Sequence, residues 1–124
     1  MDELEERTKQ FAISVIRLCI KLEKCDGLRR LADQLVDSAG SVAANHRAMR
    51  RARSPREFAS KTHIVLEEAD ESVLWLEIAI VFQPKLDNIA DVLAEARELR
   101  AIFARAYATA RRKVSGSTRS RRQS

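Results

Sequence analysis

With 124 residues, 45% of them apolar and 33% charged, the chain has the length of one domain and enough apolar material to bury a core without disulfides or a structural metal. Three glycines and two prolines are too few for the many turns of an all-β fold, and a two-domain enzyme does not fit in this length. No run approaches the roughly 18 consecutive apolar residues of a membrane span, and the acidic start Met1-Asp2-Glu3-Leu4-Glu5-Glu6 lacks the basic-then-apolar order of a signal peptide, so a soluble, cytoplasmic protein is expected.

Leu4, Thr8, Phe11, Val15, Leu18, Leu22 and Cys25 recur at spacings of three and four, which predicts a first helix closed by Asp26-Gly27. Cys19 and Cys25 then sit about 120° apart around its axis and roughly 9 Å along it, too far to pair, and read as reduced thiols. The second stripe is Leu28, Leu31, Leu35, Ser38, Val42, Asn45 and Met49. Gly40 within it suggests a close helix crossing. Asn45 needs a partner, because an unpaired amide on a seam costs a few kcal/mol. Antiparallel pairing of helices two and three sets Asn45 opposite Thr62, a polar core contact that would fix register.

Ser54-Pro55-Arg56-Glu57 has the form of a capping box with proline in the first turn, and it starts helix three. Its stripe is Phe58, Thr62, Val65, Ala69, Ser72, Leu76 and Ala79, interrupted after Gln83-Pro84. From Val73 to Phe82 only Glu77 is charged, so apolar residues cover every side. A helix in a four-helix monomer buries one side, and the surplus of Leu74, Trp75, Ile78 and Phe82, continued by Ile64, predicts an interface with another copy. Helix four carries Val92, Ala96, Leu99, Phe103, Ala106 and Ala110, with Ile89 and Ile102 alongside, and is expected to end near Lys113. Four helices joined by short loops predict an all-α, antiparallel up-down-up-down four-helix bundle over residues 1–113, followed by a disordered basic C-terminal tail over 114–124.

The net charge of +5 is unevenly spread: residues 1–26 sum to −1, 27–56 to +5, 57–83 to −5, 84–110 to zero and 111–124 to +6. Blocks of opposite sign suit self-association or an acidic polymer. The basic constellation is Arg47, Arg50, Arg51, Arg53 and Arg56, with Lys61 one turn further on. These cations could engage phosphates and would act together with Arg111, Arg112, Lys113, Arg119, Arg121 and Arg122. Cations at a helix C-terminus also simply suit its dipole. With few aromatic residues, most of them at core positions, any nucleic-acid contact is expected to be to backbone.

Glu67, Glu68, Asp70 and Glu71 form the most enzyme-like feature. Glu67, Asp70 and Glu71 share a helix face and could hold Mg²⁺, and the E-E-x-x-E spelling resembles the first metal motif of all-α nucleoside triphosphate pyrophosphatases. The second motif of that family, E-x-x-D, has only the imperfect counterpart Glu95-Ala96-Arg97-Glu98. The alternative is a solvated acidic face that pairs with arginines. His46 and His63 are not preceded by Glu at the spacing of a di-iron bundle, and nucleophile elbows and phosphate-binding glycine loops are absent. No enzyme activity, cofactor, metal or small-molecule substrate is therefore expected.

The stretch from Leu31 to Asn45, an Arg-rich turn, and Ser54-Pro55-Arg56-Glu57-Phe58 resemble the four-helix bundle proteins encoded in bacterial 23S rRNA intervening sequences. That pattern is roughly QL-x-x-SA-x-S-[IV]-x-x-N, a turn, then S-x-x-E-F before an acidic and apolar third helix. Gln34, Leu35, Ser38, Ala39, Ser41, Val42, Asn45, Ser54, Glu57, Phe58 and Glu71 fall on it, although Asn45-His46-Arg47-Ala48-Met49 stands where the family reads N-[IV]-A-E-G. The resemblance spans about residues 8–113 and implies a left-handed bundle assembled as a ring-like homo-oligomer, with a pentamer expected. It also implies kinship with accessory bundles of diversity-generating retroelements, which bind nucleic acid through a basic surface. The expected partners are thus further copies of the chain and RNA or DNA backbone. A scaffold without nucleic acid is the alternative, and a Mg²⁺-dependent nucleoside triphosphate pyrophosphatase acting through Glu67, Glu68, Glu71, Glu95 and Glu98 is a remote one.

Overall fold

A computed structural model describes residues 3–86 and 88–123, with side-chain surroundings through residue 116. The described chain forms four helices: α1 (Glu3–Leu22), α2 (Arg29–Arg50), α3 (Pro55–Phe82) and α4 (Ile89–Gln123). Consecutive helices pack antiparallel, α4 returns against α1, and the backbones of the diagonal pairs stay apart. The result is an up-and-down four-helix bundle. Three of its seams are dense, and the α1–α4 seam is much sparser.

The core follows the stripes expected from the sequence. Phe11, Val15, Leu18 and Leu22 of α1 meet Leu35 and Val42 of α2, Val65, Val73 and Leu76 of α3, and Ile89, Leu99 and Phe103 of α4, all buried. Burying a side chain of this size removes about 1.5–3 kcal/mol of hydration cost, so the apolar seams are what hold the helices together. α3 begins as its sequence predicts: the Ser54 hydroxyl accepts the Glu57 N–H at 3.0 Å, and Pro55 occupies the first turn. Gly27, at φ 83°, turns the chain between α1 and α2 in a region closed to most side chains. Asn88, at φ 62°, does the same before α4, as one of the few non-glycine residues that tolerate it.

Several details differ from the sequence expectations. α1 ends at Leu22, so Cys25 lies in the turn, where its thiol is 3.6 Å from the Lys21 carbonyl oxygen. Gly40 allows no close approach, since a Cβ there would meet nothing within 4 Å. The register contact between α2 and α3 is not Asn45 with Thr62. Asn45 donates to the Ser41 carbonyl at 2.9 Å and Thr62 to the Phe58 carbonyl at 2.6 Å, each within its own helix. The polar contact that crosses the seam is Ser72 to Ser38, both buried, with 3.0 Å between the hydroxyl oxygens. α2 lies between two neighbours and buries a wide stripe, so His46 is buried as well, its ring 5.7 Å from that of Phe103. α4 continues as helix past Lys113 to Gln123.

Along α3, Leu74 and Phe82 are exposed at 48% and 63%, and Val81, outside the expected set, at 73%. Ile64 and Ile78 are half-buried, and Trp75 packs against the core. Trp75 is drawn inward because α3, like α2, packs against a neighbour on each side.

Candidate nucleic-acid interface

The loop from Arg51 to Ser54 closes one end of the bundle. The Arg51 N–H reaches the Ala48 carbonyl at 3.1 Å and the Ala52 N–H the Met49 carbonyl at 3.2 Å, closing α2, and Ser54 then opens α3, so Arg51, Arg53 and Arg56 project from a short turn fixed at both ends. Antiparallel packing brings the later turns of α4 to the same corner. Arg53, Ser54, Pro55 and Phe58 line one recess with Ala110 and Lys113, and Arg56 shares the adjoining groove with Arg111. Cationic groups distant in sequence therefore meet at this corner.

The expected basic residues do not all stand alike. Arg47 and Arg50 turn toward α1, 3.4 and 3.3 Å from the Glu5 carboxylate, so their charge is partly answered within the chain. Arg51, Arg53 and Arg56 are exposed and make no ion pair among the described residues. Lys61 is half-buried on α3. Arg111, Arg112 and Lys113 are exposed on α4, and Arg111 and Lys113 join the corner, a placement that emerges only when α4 is packed antiparallel to α3. The side chains of Arg119, Arg121 and Arg122 lie outside the described residues.

The acidic groups are engaged elsewhere. Glu67 pairs with His63 at 2.8 Å and Asp70 with Arg100 at 2.9 Å. Burial, followed by the neighbouring charges of Glu71 and Glu67, pushes the Glu68 carboxyl above its usual range. Glu95 and Glu98 turn toward α1, where Arg7 bonds Glu95 in a two-pronged fork at 2.6 and 2.8 Å and reaches Glu98 at 2.8 Å. The Arg7 hydrogen bond holds Glu95 below the usual carboxylate range and raises the guanidinium in turn. The two carboxylate motifs thus serve different seams, and among the described residues no three His, Cys, Asp or Glu side chains gather as a metal site. Cys19 is buried, and desolvation pushes its thiol up to about 12, which keeps it protonated and unreactive.

Fold and corner together define a helical-bundle protein with one strongly cationic end. No family model matches the chain, and no curated protein matches it. Its fold is similar to the crystal structure of a protein of unknown function from the S23 ribosomal protein family of Bacteroides thetaiotaomicron VPI-5482. The TM-score is 0.75 at 23% identity, over 83% of this chain and 96% of that one. The likeness shows the four-helix fold. Among the described residues no helix is long and apolar enough to cross a membrane.

Proposed function

We propose that the chain is a non-enzymatic, homo-oligomeric four-helix bundle that binds the phosphate backbone of RNA or DNA through its basic corner. We place it with the bundle proteins of 23S rRNA intervening sequences and, through them, near the retroelement accessory bundles. The observation that carries this reading is the convergence of Arg53 and Arg56 with Lys113 and Arg111, beside exposed Arg51 of the same turn, none of which makes an ion pair among the described residues. Arginine forks suit phosphate oxygens, and a cluster of this kind gives affinity with little sequence choice. The pattern residues between Leu31 and Glu71 and the likeness to an S23-family fold support an RNA setting. Exposed Leu74, Val81 and Phe82 on α3 support assembly with further copies, with a pentamer as the expected number. A cytoplasmic location agrees with the absence of a helix able to span a membrane among the described residues.

The second reading is a scaffold without nucleic acid, favoured by the acidic flank Glu67 and Glu71 beside that apolar face, which the basic corner of a neighbouring copy could answer. Light scattering on nuclease-treated protein, alone and with a structured RNA or a duplex DNA at low and high salt, separates the two. Backbone binding predicts an oligomer that takes up nucleic acid at low salt and releases it intact at high salt. Replacing Arg51, Arg53 or Arg56 with Ala should lower the salt slope of the affinity by about one per lost phosphate contact. An oligomer indifferent to both nucleic acids would leave the scaffold reading, and a monomer would remove the assembly.

A further inference from the structure

Next to the basic corner, α3 and α4 enclose a groove of about 390 Å³ whose lining includes Arg56, Ser60, His63, Tyr107, Arg111 and Ser115. The rings of His63 and Tyr107 meet there, with centroids 4.8 Å apart and planes tilted by 41°. His63 is exposed and is held in orientation by Glu67, 2.8 Å from its Nδ1. Tyr107 is half-buried, one turn before Arg111, and neither ring belongs to the core cluster. The pair stands outside the buried core, with Arg56 and Arg111 on its flanks.

We infer that the groove is a stacking platform for an unpaired base, with Tyr107 and His63 against the base and Arg56 and Arg111 on the flanking phosphates. The ligand is then a single-stranded segment of nucleic acid, an assignment that rests on the backbone-binding reading and deepens it. Stacking on an aromatic ring needs a base face free of its neighbours, which a regular duplex does not offer. A strand fits better than a free nucleotide because a second groove runs on past His63 and Glu67 along Leu66, Asp70, Arg97, Arg100 and Ala104. Ala101 and Ala104 keep that floor low, and Arg97 and Arg100, each paired with an acid of α3, balance Glu67 and Asp70 there, so the phosphate contacts stay with Arg56 and Arg111.

The test is fluorescence anisotropy with a labelled single-stranded RNA of about 12 nucleotides, an abasic strand of the same length, the matching duplex and uridine monophosphate as competitor. Wild-type protein should prefer the base-bearing strand, and 2-aminopurine placed within it should be quenched on binding. Tyr107→Ala should weaken single-strand binding roughly tenfold and leave duplex binding unchanged, while Tyr107→Phe retains affinity. His63→Ala, at an exposed position, should act in the same direction and serves if Tyr107→Ala does not fold. Equal binding of the abasic strand, or unchanged affinity in folded Tyr107→Ala and His63→Ala, would overturn the platform and leave the corner standing. The monophosphate binding as tightly as the strand would overturn the strand assignment. Binding of no nucleic acid at low salt would overturn both.

Discussion

Arg7 decides how α1 meets α4. Its guanidinium forks onto Glu95 and reaches Glu98 one turn later, across a seam that few other contacts close. Both partners are partly exposed, so solvent screens the pair, and its worth is about 1 kcal/mol. Because the folded state holds Glu95 below the ordinary carboxylate range, it binds fewer protons than the unfolded chain through that window. The stabilisation is therefore complete above the unfolded value of about 4.3 and is lost as pH falls through the lower folded value. Urea unfolding of wild type and Arg7→Met should differ by about 1 kcal/mol at neutral pH, and the difference should shrink as pH falls below the ordinary carboxylate range. A difference independent of pH would assign the effect to packing of the arginine stem. Sequence reading could not find this contact, since its partners are 88 positions apart and lie outside either helix's apolar stripe.

At the scale of the element, α3 depends on its start. Ser54 satisfies the Glu57 N–H, and Ser54→Ala should cost about 1 kcal/mol with m-value unchanged, measured by denaturant unfolding. This cap was readable because it is local, as were the four apolar stripes, whose 3.6-residue period records which face is buried. What depends on neighbours was not readable. Asn45 and Ser38 both lie on the second stripe, yet only Ser38 finds a partner across the seam, because the relative rotation of α2 and α3 sets that choice. Trp75 looked like surplus surface on a helix apolar all round, and packing between two neighbours draws it to the core. The turn arginines were legible as a local run. Their meeting with Arg111 and Lys113, and the stack of His63 on Tyr107, follow from antiparallel geometry and not from any spacing within one helix.

For the whole molecule, the uneven seams divide the bundle into a tightly joined α2–α3–α4 body and α1, which leans on α2 and touches α4 mainly through the Arg7 fork and a few apolar residues. α1 can be regarded as a ligand of that body, held by loop 23–28 at an effective concentration on the order of millimolar. A protease site placed at Asp26-Gly27 should make this visible. After cleavage, α1 should remain bound at high protein concentration, leave on dilution, and make the melting temperature depend on concentration where that of the intact chain does not. Melting that stays independent of concentration after cleavage would show that α1 contributes nothing to the stability of the remaining body. The sparse seam also makes α1 the element that two copies could exchange most readily.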